Sequence, residues 1–116
     1  MQYTPSHEWL RKIDDDMWMM GITQHAVKEL GEVVYIESLP IGSVIEKGQA
    51  VIVVESSKAA VDIYAPLNGV IIATNMNIID INNAPEQTGW ILQIRGMLDQ
   101  DLLSKAAYEG LLHELS

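Results

Sequence analysis

Short β-type runs, each closed by turn residues, recur at even spacing along most of this chain. Trp18-Met19-Met20 leads to Gly21, and Val33-Val34-Tyr35-Ile36 leads to Pro40 and Gly42. Val44-Ile45 ends in the turn Glu46-Lys47-Gly48, and Ala50 to Glu55 forms the next run. Val61-Asp62-Ile63-Tyr64-Ala65 alternates in polarity and stops at Pro66, with Asn68-Gly69 as a turn signal. Val70-Ile71-Ile72-Ala73 and Trp90-Ile91-Leu92-Gln93-Ile94 complete the series. Strands of about five residues at this spacing predict a mainly β fold, a small antiparallel sandwich or barrel.

Two segments leave this rhythm. Thr23 to Leu30 reads as a short helix, with Thr23 as N-cap and Gly31 as the stop. The tail from Asp99 to Leu115 reads as helical, because Leu102, Leu103, Tyr108, Leu111, Leu112 and Leu115 recur at three- and four-residue steps. Ser104 is placed to cap a second helix there. Such a stripe is expected to pack on the sandwich. Trp9, Trp18 and Trp90 are expected core anchors in an otherwise aliphatic core, since the chain has no Phe. The 116 residues fit one domain, residues 1–116.

Charge and composition remove several classes of function. Sixteen acidic side chains against seven basic ones give a net charge of -9. That balance argues against a nucleic-acid partner, which needs clustered Lys and Arg. It also argues against an anionic membrane surface. The apolar runs are a handful of residues, against roughly 20 for a spanning helix. With no basic-then-apolar segment at the N-terminus, a cytoplasmic setting is expected. There is no cysteine, so disulfides, thiol nucleophiles and Cys-ligated metal are excluded. No Ser/His/Asp order, phosphate-binding Gly loop or metal-ligand spacing is found, so no catalytic or metal residues are assigned. His7 and His25 lack partners in the sequence and read as local packing and a helix-face residue. Asp14-Asp15-Asp16 lacks the Gly and distal Glu of a calcium loop and reads as a solvated hairpin turn.

The stretch from Val51 to Pro66 carries the most chemistry. Two β-type runs flank Glu55-Ser56-Ser57-Lys58-Ala59-Ala60, the pattern of a hairpin with Lys58 at or near its tip. Its neighbours Ser57 and Ala59 are too small to cover the ammonium. Taken alone, Lys58 reads as an ordinary exposed lysine, the commonest state of that residue.

The segments Glu55-Ser56-Ser57-Lys58-Ala59-Ala60 and Asp62-Ile63-Tyr64-Ala65-Pro66 resemble the glycine cleavage system H-protein family, which are lipoyl carriers. Tyr3-Thr4-Pro5-Ser6-His7-Glu8-Trp9 resembles the family's opening motif, and Gly21-Ile22-Thr23-Gln24-His25-Ala26 its helix entry. Leu30-Gly31-Glu32-Val33-Val34-Tyr35-Ile36 and Gly89-Trp90 also match, in the same order. The resemblance implies a lipoyl-domain β-sandwich whose Lys58 is amide-linked to lipoic acid, in the context of Glu55, Ser56, Ser57 and Ala59. A biotin carrier would instead resemble a Met-Lys-Met tip.

The resemblance further implies a carrier and not an enzyme. Its arm shuttles the aminomethyl group of glycine among three enzymes: a pyridoxal-phosphate glycine decarboxylase, an aminomethyltransferase and a dihydrolipoyl dehydrogenase. A lipoate ligase or lipoyltransferase attaches the arm. Ser6, Glu8 and Asp62 match positions that line the family's arm-docking cleft. On residues alone, Glu8 and Asp62 read equally as solvated surface, and Ser6 as a turn cap. Between Asn75 and Gly89 the chain is several residues shorter than the usual family loop. H-like lipoyl carriers of sulfur-compound oxidation or lipoyl relay are therefore the alternative.

Overall fold

The computed structural model describes residues 1–115. The elements run in order as β1 (Gln2–Tyr3), β2 (Glu8–Asp14), β3 (Met17–Ile22), α1 (Gln24–Leu30), β4 (Val33–Ser38), β5 (Val44–Ile45) and β6 (Ala50–Ser56). They continue as β7 (Ala60–Tyr64), β8 (Gly69–Thr74), α2 (Ile78–Asn83), β9 (Leu92–Gly96) and α3 (Lys105–Leu115). The strands form a six-stranded sheet, β1-β2-β3-β9-β8-β5, and a three-stranded sheet, β4-β6-β7. Every pairing is antiparallel. The two sheets share one aliphatic core, in which Leu10, Met20, Ile71 and Ile94 from the first meet Ile36, Ile52, Val54 and Ile63 from the second. This is the expected antiparallel sandwich.

Local signals explain the helices. The Thr23 hydroxyl accepts the Ala26 N–H at 3.1 Å, and Gly31 closes α1 with φ 82 and a bond to Val27 O. The Ser104 hydroxyl accepts the Ala107 N–H at 3.1 Å and caps α3. The expected helix from Asp99 is corrected, because residues 99–104 are not helical. Leu103 instead exchanges two backbone hydrogen bonds with Tyr3, at 2.8 and 2.9 Å. Pairing with an open strand edge outcompetes the helical periodicity there. The leucine stripe packs only in part: Leu103 and Leu112 lie against Tyr3, Trp9 and Tyr108, while Leu115 is exposed. Trp9 and Trp18 are buried, and Trp90 is half-buried.

Three further differences concern segment limits. β1 and β2 were not among the expected strands, and β9 starts at Leu92, leaving Trp90 outside it. The segment read as a shortened loop between Asn75 and Gly89 contains α2. Its sequence of Ile, Asp and Asn is a poor helix former. Tertiary contacts hold it: Ile81 is fully buried, and the Asn82 amide bonds both the N–H and the C=O of Val33. Among the described residues, no helix is long and apolar enough to cross a membrane.

Candidate functional site

The β6–β7 hairpin places Lys58. Glu55 pairs with Ala60, and Ser56 closes the turn between them. The Ser56 N–H donates to Ala59 O at 2.8 Å. The Ser56 hydroxyl oxygen accepts the N–H groups of Lys58 and Ala59 at 3.1 and 3.2 Å. The amides of Ser56, Lys58 and Ala59 are thus satisfied by the turn itself, which holds the tip without using the lysine side chain. Ser57, Lys58 and Ala59 are exposed. The lysine stem runs beside Gly31: a Cβ there would lie 3.2 Å from Lys58 Cε. Gly31 thus meets two demands, a positive φ at the end of α1 and space for the lysine.

A groove of about 430 Å³ opens beside Lys58. Ala26 and Leu30 of α1 and Val61 and Ile63 of β7 supply its apolar lining. Ser6, His7, Glu29 and Asp62 supply its polar groups. The structure therefore brings Ser6, Lys58, Ala59 and Asp62 together from two distant segments. Neither Glu29 nor His7 was singled out for this site, and both line it. The only sequence clue to Glu29 was its place four residues after His25 on one helix face.

Glu8 lies behind Ser6 and is not a solvated residue. It is 3 % exposed, and its Oε1 accepts the hydroxyl protons of Thr4 and Ser6, both at 2.8 Å. Its N–H donates to the Thr4 hydroxyl at 3.0 Å. Glu8 thereby organises residues 4–8, including His7, which holds φ 74. That left-handed value is uncommon for a residue with a side chain and stores strain. The surroundings impose it: Thr23 N–H donates to His7 O at 3.0 Å, and the ring Nδ1 lies 2.7 Å from the Tyr108 hydroxyl. The His7 ring also packs on His25 at 4.6 Å. Burial, with help from His25, lowers the His7 pKa against an opposing pull from Glu29.

Burial raises the Glu8 pKa, and the hydroxyl donors of Thr4 and Ser6 oppose that rise without cancelling it. The fold therefore favours the protonated acid. This contribution to stability is fully present below the unfolded-state pKa and is lost as pH rises through the higher folded value. Glu8→Gln keeps an oxygen for both hydroxyls and removes the titration. Melting temperatures should show the Gln chain gaining on wild type as pH rises from roughly 4 to 7. A difference that stays flat over that range contradicts a buried, upshifted carboxyl.

The hairpin and groove suit a covalently tethered aliphatic arm. An exposed amine can form an amide, apolar walls can receive methylenes, and the carboxylates of Glu29 and Asp62 can face a cationic end. Comparison with known proteins agrees with that geometry. The family model described as Glycine cleavage H-protein matches residues 1–114. A glycine cleavage system H protein of Klebsiella pneumoniae is 40% identical, over 98% of this chain and 94% of that protein. The protein of the same name from Escherichia coli O9:H4 is 39% identical over the same shares. The alignment with each spans 121 positions, more than the 116 residues here, so each relative carries residues that this chain lacks. Among solved structures, a glycine cleavage system H protein from Mycobacterium marinum superposes with a TM-score of 0.85. It is 28% identical and covers 97% of this chain and 95% of that one.

Proposed function

Because the chain belongs to the glycine cleavage H-protein family, we propose that it is a lipoyl carrier with lipoic acid amide-linked to Lys58. The observation that carries this reading is the free amine on a self-braced hairpin tip beside an apolar groove rimmed by carboxylates. When bound, the lipoyl group supplies a redox-active pair of sulfurs to a chain without cysteine and carries the aminomethyl group of glycine. Every other contribution is the protein's own. The hairpin presents the attachment point, and the tether concentrates the arm's reactive end near each partner without new contacts. Ser6 and Asp62 face the groove, and Glu8 acts through Ser6 by holding its hydroxyl. Glu55, Ser56, Ser57 and Ala59 form the surroundings that an attaching enzyme meets, with Ser56 fixing the turn.

The partners follow from the same reading: glycine decarboxylase, aminomethyltransferase and dihydrolipoyl dehydrogenase carry out the catalysis, and a lipoate ligase or lipoyltransferase attaches the arm. The names of the relatives support glycine cleavage as the pathway, over sulfur-compound oxidation or lipoyl relay.

Incubation with lipoate, ATP and a lipoate ligase tests the assignment. The new bond joins Lys58 Nζ to the lipoate carboxyl carbon. ATP first activates that carboxyl as an acyl adenylate with release of pyrophosphate; one carboxyl oxygen then leaves on AMP, and two protons of the ammonium pass to solvent. Intact mass should rise by one lipoyl group, and peptide mapping should place it on Lys58. An unmodified chain, or a lipoyl group on another lysine, overturns the proposal.

A further inference from the structure

The three-stranded sheet has one face against the core and one open face. Strand register places two rows of residues across the open face. Tyr35 pairs with Glu55, which pairs with Ala60; two residues along, Glu37 pairs with Val53, which pairs with Asp62, a residue of the edge strand β7 that borders both this face and the groove. Tyr64 lies beyond them on β7. These rows lie about 7 Å apart, starting immediately below the Lys58 turn. Tyr35 and Tyr64 are 45% and 44% exposed. The Tyr35 hydroxyl donates to Glu37 Oε2 at 3.0 Å, so the two side chains share the face.

Charge is divided between the sheets. The strands of the three-stranded sheet carry Glu37, Glu55 and Asp62, and among the described residues they hold no Lys or Arg. None of these three carboxylates is ion-paired among the described residues. The basic strand residues Arg11, Lys12 and Arg95 all lie in the other sheet. An open face combining exposed tyrosines with unpaired carboxylates has the composition of a docking surface, with aromatic anchors and charges that steer.

We propose that this face docks the enzyme that acylates Lys58, through a surface of that enzyme rich in Arg and Lys. The proposal rests on the lipoyl-carrier reading and adds the surface through which the attaching enzyme recognises the chain. The reach of each partner selects this occupant. The attaching enzyme must bring Lys58 Nζ into its own active site, so its footprint covers the hairpin and the rows next to it. Enzymes that meet only the far end of a long arm are under no such constraint. Arginine suits the face because its planar guanidinium can stack on tyrosine and pair with a carboxylate.

The test is acylation kinetics with a lipoate ligase, read by intact mass, for wild type, Glu37→Lys and Tyr35→Ser. Glu114→Lys on α3 serves as a control. Expected is a KM for the chain raised about tenfold by Glu37→Lys, with kcat within about twofold. Wild-type KM should climb steeply with salt, and that slope should flatten in Glu37→Lys. Tyr35→Ser should raise KM without changing the slope. Unchanged KM in both face variants overturns the proposal, provided that melting shows them folded. A loss of affinity seen only with the arm-using enzymes also overturns it, by assigning the face to them. If wild type takes no lipoate, the carrier reading itself falls and the docking face falls with it.

Discussion

A Lys58→Arg chain should gain no mass under conditions that fully lipoylate wild type, and should support no glycine decarboxylation above background. Arginine keeps the positive charge and the long stem, but its guanidinium stays protonated and does not form the amide. The loss should therefore be complete. Stability should hardly change. The turn is closed by the Ser56 side chain on backbone groups, and the Lys58 side chain is exposed. Substitutions at such surface positions usually stay within about 0.5 kcal/mol. An unchanged melting curve with no lipoyl mass would separate loss of the attachment point from loss of the fold. Six Lys and Arg residues remain elsewhere in the chain. A lipoyl mass that persists in the Arg variant would assign the arm to one of the lysines among them.

Much of this arrangement was legible from local sequence, because local chemistry specifies it. Strands such as Ala50–Ser56 and Ala60–Tyr64 declare themselves through β-branched residues bounded by turns. Thr23 and Ser104 make the capping bonds that their residue types suggest. Lys58 stands at the tip because two apolar runs flank small residues. What escaped the sequence depends on contacts between distant segments. Residues 78–83 have weak helix propensity and fold as α2 because Ile81 enters the core and Asn82 bonds Val33. Leu103 fits a helical period but is claimed by the open edge at Tyr3. On residues alone Glu8 reads equally as solvated surface, yet Thr4 and Ser6 fold over its carboxyl. The groove joins residues 6–7, 26–30 and 58–63, so Glu29 and His7 enter it through topology alone.

Trp9→Ala should produce the largest loss of stability of any substitution considered, roughly 3–5 kcal/mol from the cavity left by a fully buried large ring. Its cost extends beyond area. The indole N–H donates to Ile22 O at 3.1 Å and to Pro85 O at 2.9 Å, joining the end of β3 to the segment after α2. The ring also occupies space that only a glycine leaves free, since a Cβ on the paired residue Gly21 would lie 2.8 Å from it. Trp9→Phe divides the total. A phenyl ring refills part of the volume but leaves the two carbonyls without their donor, which costs about 1–3 kcal/mol where they stay dry. At this chain length a melting temperature drop of roughly 10–20 °C is expected for Ala, and a smaller drop for Phe. The functional consequence should differ between the two. Trp9 follows Ser6, His7 and Glu8 directly, so its packing anchors the segment that forms one side of the groove, while the Lys58 hairpin is braced independently by Ser56. Trp9→Phe should therefore remain a good substrate for lipoylation at Lys58 below its melting temperature. If a folded Phe variant loses lipoylation as completely as Lys58→Arg, the hairpin is not the self-sufficient platform described here.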